Sequence, residues 1–171
     1  MRNWATRAVG ELAHRRDEIN ALNVFPVPDS DTGSNMAHTM EAAVAELDNG
    51  GAVADSLAFG AVRGARGNSG MVLSQVLRGV AESTVDSVID GAVFARSLQQ
   101  AVELVDRAIA EPVEGTVITV LKAAAGAADD AAAQSGATLH SIVSAAIAAA
   151  RMALERTPSQ LPALREAGVV D

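Results

Sequence analysis

Asn23-Val24-Phe25-Pro26-Val27-Pro28-Asp29-Ser30-Asp31-Thr32-Gly33-Ser34-Asn35-Met36 joins two helical patterns and carries the densest chemistry in the chain. Pro26 and Pro28 fix their own φ and push the residues before them toward extended backbone, so 24–32 reads as a stiffened loop. In an extended segment residues two apart point the same way, which lets Asp29 and Asp31 converge on one cation. A helix then opens near Ser34 with small residues whose first-turn amides lack acceptors. Carboxylates hold divalent cations and free amides at a helix start hold phosphate, so the stretch suits a metal–nucleotide complex. A calcium loop beginning at Asp29 would need glycine at its sixth position and glutamate at its twelfth. Ser34 and Met40 stand there. Magnesium fits better, because it accepts one or two carboxylates and takes its other oxygens from phosphate and water. Taken alone, an Asp-x-Asp is also what ordinary loops and caps use.

Outward from this stretch the chain reads as helix after helix, without strand alternation. Asn3 to about Ala21 places Trp4, Ala8, Leu12, Ile19 and Leu22 at helical spacing. The second helix carries Met36, Met40, Ala43, Val44 and Leu47 until Asp48-Asn49-Gly50-Gly51 stops it. A third covers about Ala54 to Val62, and Gly64-Ala65-Arg66-Gly67-Asn68-Ser69-Gly70 breaks the chain before a fourth from Met71 to about Glu82. The fifth runs from about Gly91 to Ile109, ended by Glu111-Pro112. Glu114-Gly115-Thr116 opens a sixth that reaches about Ala133. Thr138 is a candidate N-cap for a seventh through about Leu154, and Pro158 to Glu166 forms the last. Eight helices with short links predict an all-α, antiparallel up-and-down bundle. At 171 residues it fits one domain, spanning 1–171. The apolar Gly168-Val169-Val170-Asp171 ending suggests a piece of a longer polypeptide.

Composition narrows the chemistry. The chain has no cysteine, which excludes disulfides, zinc thiolates and thiol catalysis. Its formal charge of -8 and 2% aromatics disfavour nucleic-acid binding, which needs clustered cations and stacking platforms. Lys122 is the single lysine, and no glycine-rich loop ends in Lys-Ser/Thr, so a P-loop is absent. Neither a membrane span nor a signal-peptide core is visible, giving a cytoplasmic protein as the expectation. His14, His38 and His140 fall within helices and read as structural or surface residues.

Four interruptions bear on function. Besides the acidic loop, Gly64–Gly70 permits close backbone approach ahead of a helix dipole, although flexible interhelical turns look similar. Glu114-Gly115-Thr116 puts a hydroxyl at a helix start, as a plain cap would. Arg156-Thr157-Pro158 offers a guanidinium beside a turn, where arginine is usually solvated. In an up-and-down bundle alternate connections share a pole, and these four follow helices one, three, five and seven. The topology therefore predicts that Asp29, Asp31, Gly67, Ser69, Gly115, Thr116 and Arg156 gather at one end.

These motifs, in this order, resemble the nucleotide-binding domain of the dihydroxyacetone kinase L-type family, and within it the N-terminal kinase domain of bacterial fatty acid kinase. The likeness rests on Asn23–Met36, on Arg66-Gly67-Asn68-Ser69-Gly70, on Pro112-Val113-Glu114-Gly115-Thr116 and on Arg156-Thr157-Pro158 followed by Ala167–Asp171. It implies an eight-helix barrel with Mg2+ and ATP or ADP at one end. Asp29 and Asp31 would hold the metal. Asn23 stands where the glycerone kinase branch has a third metal-binding aspartate and would be a third, neutral ligand. Thr32, Gly33, Ser34, Asn35 and Met36 would line the nucleotide, Gly67, Asn68, Ser69 and Gly70 the phosphates, and Gly115 and Thr116 the nucleoside. Arg156 would act at the phosphate end, with Asp29 and Asp31, in catalysis, and Asp171 falls where the family has another acid near the nucleotide. Ser30 replaces the family's usual glycine and Ser34 its usual threonine. The resemblance further implies an acceptor presented by a partner: a fatty acid carboxylate on a carrier protein or dihydroxyacetone on a companion subunit. A non-catalytic, nucleotide-responsive interaction module is the alternative from another class.

Overall fold

Alanine-rich helical segments with few large side chains bury their small faces against one another, and this sets the architecture. A computed structural model describes all residues, 1–171, and contains eight α-helices, one 3-10 turn and no β-sheet. The chain divides into two compact units, Met1–Glu82 and Ser83–Asp171.

The first unit contains α1 (Arg2–Leu22), α2 (Thr32–Ala45), the 3-10 turn Glu46–Asn49, α3 (Val53–Gly64) and most of α4 (Gly67–Ser83). Ala5 from α1, Met40 and Ala43 from α2, Leu57 and Ala61 from α3 and Leu77 from α4 form its core with Leu47. Each of the leucines contributes roughly 2 kcal/mol by leaving water. Alanines at contact positions let backbones close in, and Gly33 shows the limit: a Cβ there would run into the carbonyl of Arg16, so α2 rests directly on α1. Asp48-Asn49-Gly50-Gly51 does stop the second helical segment, with both glycines at positive φ. Trp4 departs from the expected apolar face of α1, for it is 55% exposed.

The second unit comprises α5 (Gly91–Ala108), α6 (Val117–Ala132), α7 (Leu139–Gln160) and α8 (Pro162–Ala167). Ala95, Ala128, Ile142 and Ala146 form its core, with Phe94 and Leu98 packed alongside. Thr138 caps α7 as expected. Its Oγ1 accepts from the Ser141 N–H at 3.1 Å while Ser141 Oγ accepts from the Thr138 N–H at 3.0 Å, a reciprocal box that satisfies two orphan donors.

Boundaries set by glycine and proline differ from expectation. The glycine-rich stretch is no long loop: Gly64 ends α3, Gly67 begins α4, and Gly67–Gly70 is the first turn of that helix. Pro158 does not open the last helix, because α7 continues through it to Gln160. Proline removes the amide that would bind the Leu154 carbonyl. Thr157 Oγ1 donates to that same carbonyl at 2.8 Å and restores the bond. The break falls instead at Leu161, with Pro162 in the first turn of α8, where its missing N–H costs nothing.

Candidate functional site

The acidic stretch folds as a turn and not as an extended segment. Ser30 has φ 56, in the left-handed region, and Asp31 is helical at φ -119, ψ -4. The alternation that would place both carboxylates on one side therefore does not apply, and a tight turn between Asp29 and Asp31 takes its place. Left-handed backbone costs an L-residue such as Ser30 about 1 kcal/mol or more, a cost glycine would not bear. Asn23 closes the turn: its Oδ1 accepts from the Ser30 N–H at 2.9 Å.

Helix α2 starts at Thr32, two residues ahead of the expected Ser34, with Asp31 as its N-cap residue. The Asp31 side chain makes no cap bond to its helix. None of the ion pairs in the protein uses Asp29 or Asp31. Asp29 is exposed and Asp31 half-buried. A side chain twelve residues and more upstream does the capping instead. Ser34 donates its N–H to Asn20 Oδ1 at 3.1 Å, and Asn20 Nδ2 donates to Ser34 Oγ at 3.0 Å. Of the first-turn amides, that of Ser34 is thus taken, which leaves those of Thr32 and Gly33 for an outside acceptor.

The start of α4 lies against the start of α2. Ser69 Oγ donates to the Thr32 carbonyl at 3.3 Å, and the Arg66 N–H donates to Thr39 Oγ1 at 3.3 Å. Gly67, at φ 57, sits where a Cβ would strike the Asn35 amide, and Gly70 sits likewise against Thr39. The glycines serve close approach. Two helix N-termini side by side present two sets of orphan amides and two positive dipole ends, the arrangement that attracts phosphate. Gly70 and Gly33 are buried, Thr32, Ser34, Asn35, Met36 and Ser69 half-buried, and Gly67 and Asn68 exposed.

The remaining candidates fall in the second unit, around the start of α6. Thr116 is the N-cap residue, but its hydroxyl donates to the Val113 carbonyl at 2.7 Å and does not cap. Asp171 does: its Oδ2 accepts from the Val117 N–H at 2.5 Å, while its own N–H donates to Thr157 Oγ1 at 3.1 Å. Loss of hydration among crowding protein atoms raises the Asp171 carboxyl above its ordinary range, and the Val117 N–H pulls the other way. The residue stays open to solvent on one side, so the upward pull is a weak lever. Gly115 is buried at φ 81, with its N–H donating to Thr119 Oγ1 at 3.0 Å. Arg156 lies inside α7 and not in a loop, exposed and without an ion pair, one residue from Thr157.

Sequence reasoning missed Asn20 and Thr39. Asn20 lies fourteen residues from its partner Ser34, and Thr39, fully buried, touches Arg66 twenty-seven residues away. Neither belongs to a motif, and only helical periodicity, which puts Asn20 on the last turn of α1, could have hinted at the first. His14, His38 and His140 are exposed on their helices, as surface residues. No three His, Cys, Asp or Glu side chains stand together as a ready metal cage. Two unengaged carboxylates beside open amides still fit magnesium held jointly with a phosphate, because that ion keeps waters and substrate oxygens in its shell.

The class this defines is that of kinase-related, nucleotide-binding helical domains. Within it the chain belongs to the DAK2 domain family, whose model matches residues 26–171. This bears out the resemblance to dihydroxyacetone kinase L-type domains. The chain is 40% identical over 166 residues to protein YloV of Bacillus subtilis strain 168, and to uncharacterized proteins of Staphylococcus aureus strains USA300 and N315. Those alignments cover 94% of this chain and 30% of each relative, so the chain spans about a third of the length of the curated relatives it matches. No helix is long and apolar enough to cross a membrane.

Proposed function

We propose that the chain is a Mg-ATP-dependent phosphotransferase domain whose acceptor is a fatty acid carboxylate presented by a separate carrier protein. The observation that carries this reading is the pair Asp29 and Asp31, unengaged by any ion pair, on a turn that leads into one of two adjoining helix N-termini. Magnesium on these two carboxylates would offset the charge that grows on the transferred group. The amides of Thr32, Gly33, Asn68 and Ser69 would orient the phosphates, since phosphoryl transfer asks mainly for positioning and charge stabilisation. In the reaction the bond from the γ-phosphorus to the β–γ bridging oxygen breaks, a bond to a carboxylate oxygen of the acceptor forms, and ADP leaves. The family resemblance assigns Gly115 and Thr116 to the nucleoside, Arg156 to the phosphates as a catalytic cation, and Asp171 to the nucleotide's surroundings. Arg156 suits its role because its guanidinium is free of any carboxylate. The choice of a fatty acid over dihydroxyacetone rests on Asn23, which stands in place of the third acid of the glycerone kinase branch.

Turnover decides between this enzyme and a nucleotide-responsive module. Purified protein is given ATP, magnesium and carrier-bound fatty acid or dihydroxyacetone, and ADP release and phosphorylated product are followed. Transfer to the carrier-bound fatty acid, abolished in Asp31→Ala, is the expected result. Nucleotide binding that survives Asp31→Ala, with no transfer to either acceptor, would establish the module instead.

A further inference from the structure

Two asparagine amides from the end of α1 grip the acidic turn on both sides. Asn20, in the last turn of that helix, makes the two bonds with Ser34 described above, so one side chain satisfies both polar groups of a residue in the first turn of α2. Asn23, the C-cap residue, receives the Ser30 N–H, and its own N–H donates to the Asn20 carbonyl at 3.2 Å. The backbone between the two acids and the backbone just beyond them are therefore both tied to α1. The close seat of Gly33 on Arg16 fixes the same turn of α2 from beneath. We infer that Asn20 and Asn23 are positioning residues, which hold Asp29 and Asp31 where a cation can be gripped. The inference rests on the phosphotransferase reading and deepens it.

The chemistry suits the task. A left-handed serine relaxes unless its amide is tied down, and a first-turn amide invites the nearest acceptor. If either aspartate supplied that acceptor, its charge would be spent on the helix. An amide side chain accepts without adding charge, and its NH2 can also donate to a hydroxyl. Leucine at Asn20 preserves bulk and removes both bonds, and aspartate preserves only the acceptor for the Ser34 N–H. Alanine at Asn23 frees the Ser30 N–H.

Two measurements on the intact protein test this. Amide hydrogen exchange by NMR should quicken at least tenfold at Ser34 in Asn20→Leu and at Ser30 in Asn23→Ala. Calorimetry with Mg-ATP, at a temperature where circular dichroism shows every variant folded, should show affinity falling roughly tenfold in Asn20→Leu, one hydrogen bond's worth of differential binding. Asn20→Asp should recover part of that loss. Unchanged exchange at both amides overturns the clamp. Faster exchange with wild-type Mg-ATP affinity overturns the positioning role and leaves the asparagines purely structural. Wild-type protein that binds no Mg-ATP sinks the phosphotransferase reading and the positioning role together, while the exchange data still show whether the turn is tied.

Discussion

Both units organise the start of a helix with a side chain from a distant part of the sequence, but they use opposite chemistry. At α2 in the first unit the distant group is the neutral amide of Asn20, and the local acids Asp29 and Asp31 stay unengaged. At α6 in the second unit the distant group is the carboxylate of Asp171, fifty-four residues from Val117, and its charge is spent on the helix. A carboxylate already accepting from backbone is less available to a cation. The contrast supports the proposal that the first helix start takes a metal and phosphate, whereas the Val117 N–H of the second is already met by the protein.

The contrast is broken most severely at the glycines that permit each arrangement. Gly115→Ala combines a left-handed backbone with a Cβ driven against Gln160 and Leu161, and should destabilise by about 3 kcal/mol in urea unfolding. Gly33→Ala should cost about 2 kcal/mol or more, because the Arg16 backbone cannot give way as a flexible side chain would. Wild-type urea midpoints in either variant would mean that the close approaches are not sustained in solution.

A subtler break is Asp171→Ala, which removes the acceptor for Val117 and should cost about 1 kcal/mol, as loss of a helix cap does. Asp171→Asn keeps an acceptor and should be at least as stable as wild type at neutral pH. The sign follows from the raised carboxyl: the fold favours its protonated form, so its stabilising effect is fullest below the ordinary carboxylate pKa and fades as pH rises through the folded value. Urea midpoints across that window should therefore drift in favour of Asp171→Asn as pH rises. A drift in favour of wild type would reverse the assigned cause.

The smallest expected effect sharpens the first unit. Ser30→Gly should stabilise by about 0.5–1 kcal/mol by relieving the left-handed serine, less the extra chain entropy glycine brings. No gain on thermal unfolding would mean that the Asn23 bond already offsets the strain.

The helical class and the order of eight elements were legible because the apolar period is regular and because glycines and prolines punctuate it. The acidic stretch was legible as chemistry and misread as geometry: two prolines argued for extension, and nothing in residues 29–31 announced a left-handed serine. Gly67–Gly70 looked like a flexible loop because glycine suits both turns and close contacts. Only the proximity of Asn35 and Thr39 shows that contact is the reason here. Pro158 looked like a helix start because the hydroxyl of Thr157, which repairs the bond proline deletes, is a tertiary detail of one rotamer. The capping roles of Asn20 and Asp171 were hidden for a simpler reason, since each partner lies more than a dozen residues away.

Asp29 and Asp31, left free by a neutral clamp, are proposed to bind magnesium together with a nucleotide. Calorimetric titration of ATP with and without magnesium, on wild type and on the Asp29→Asn/Asp31→Asn double variant, tests it most directly. Magnesium-dependent binding in wild type and a loss on the order of 2 kcal/mol or more in the variant are expected, as when charge-assisted contacts are removed. Equal affinity in the two proteins, at every magnesium concentration, would contradict it.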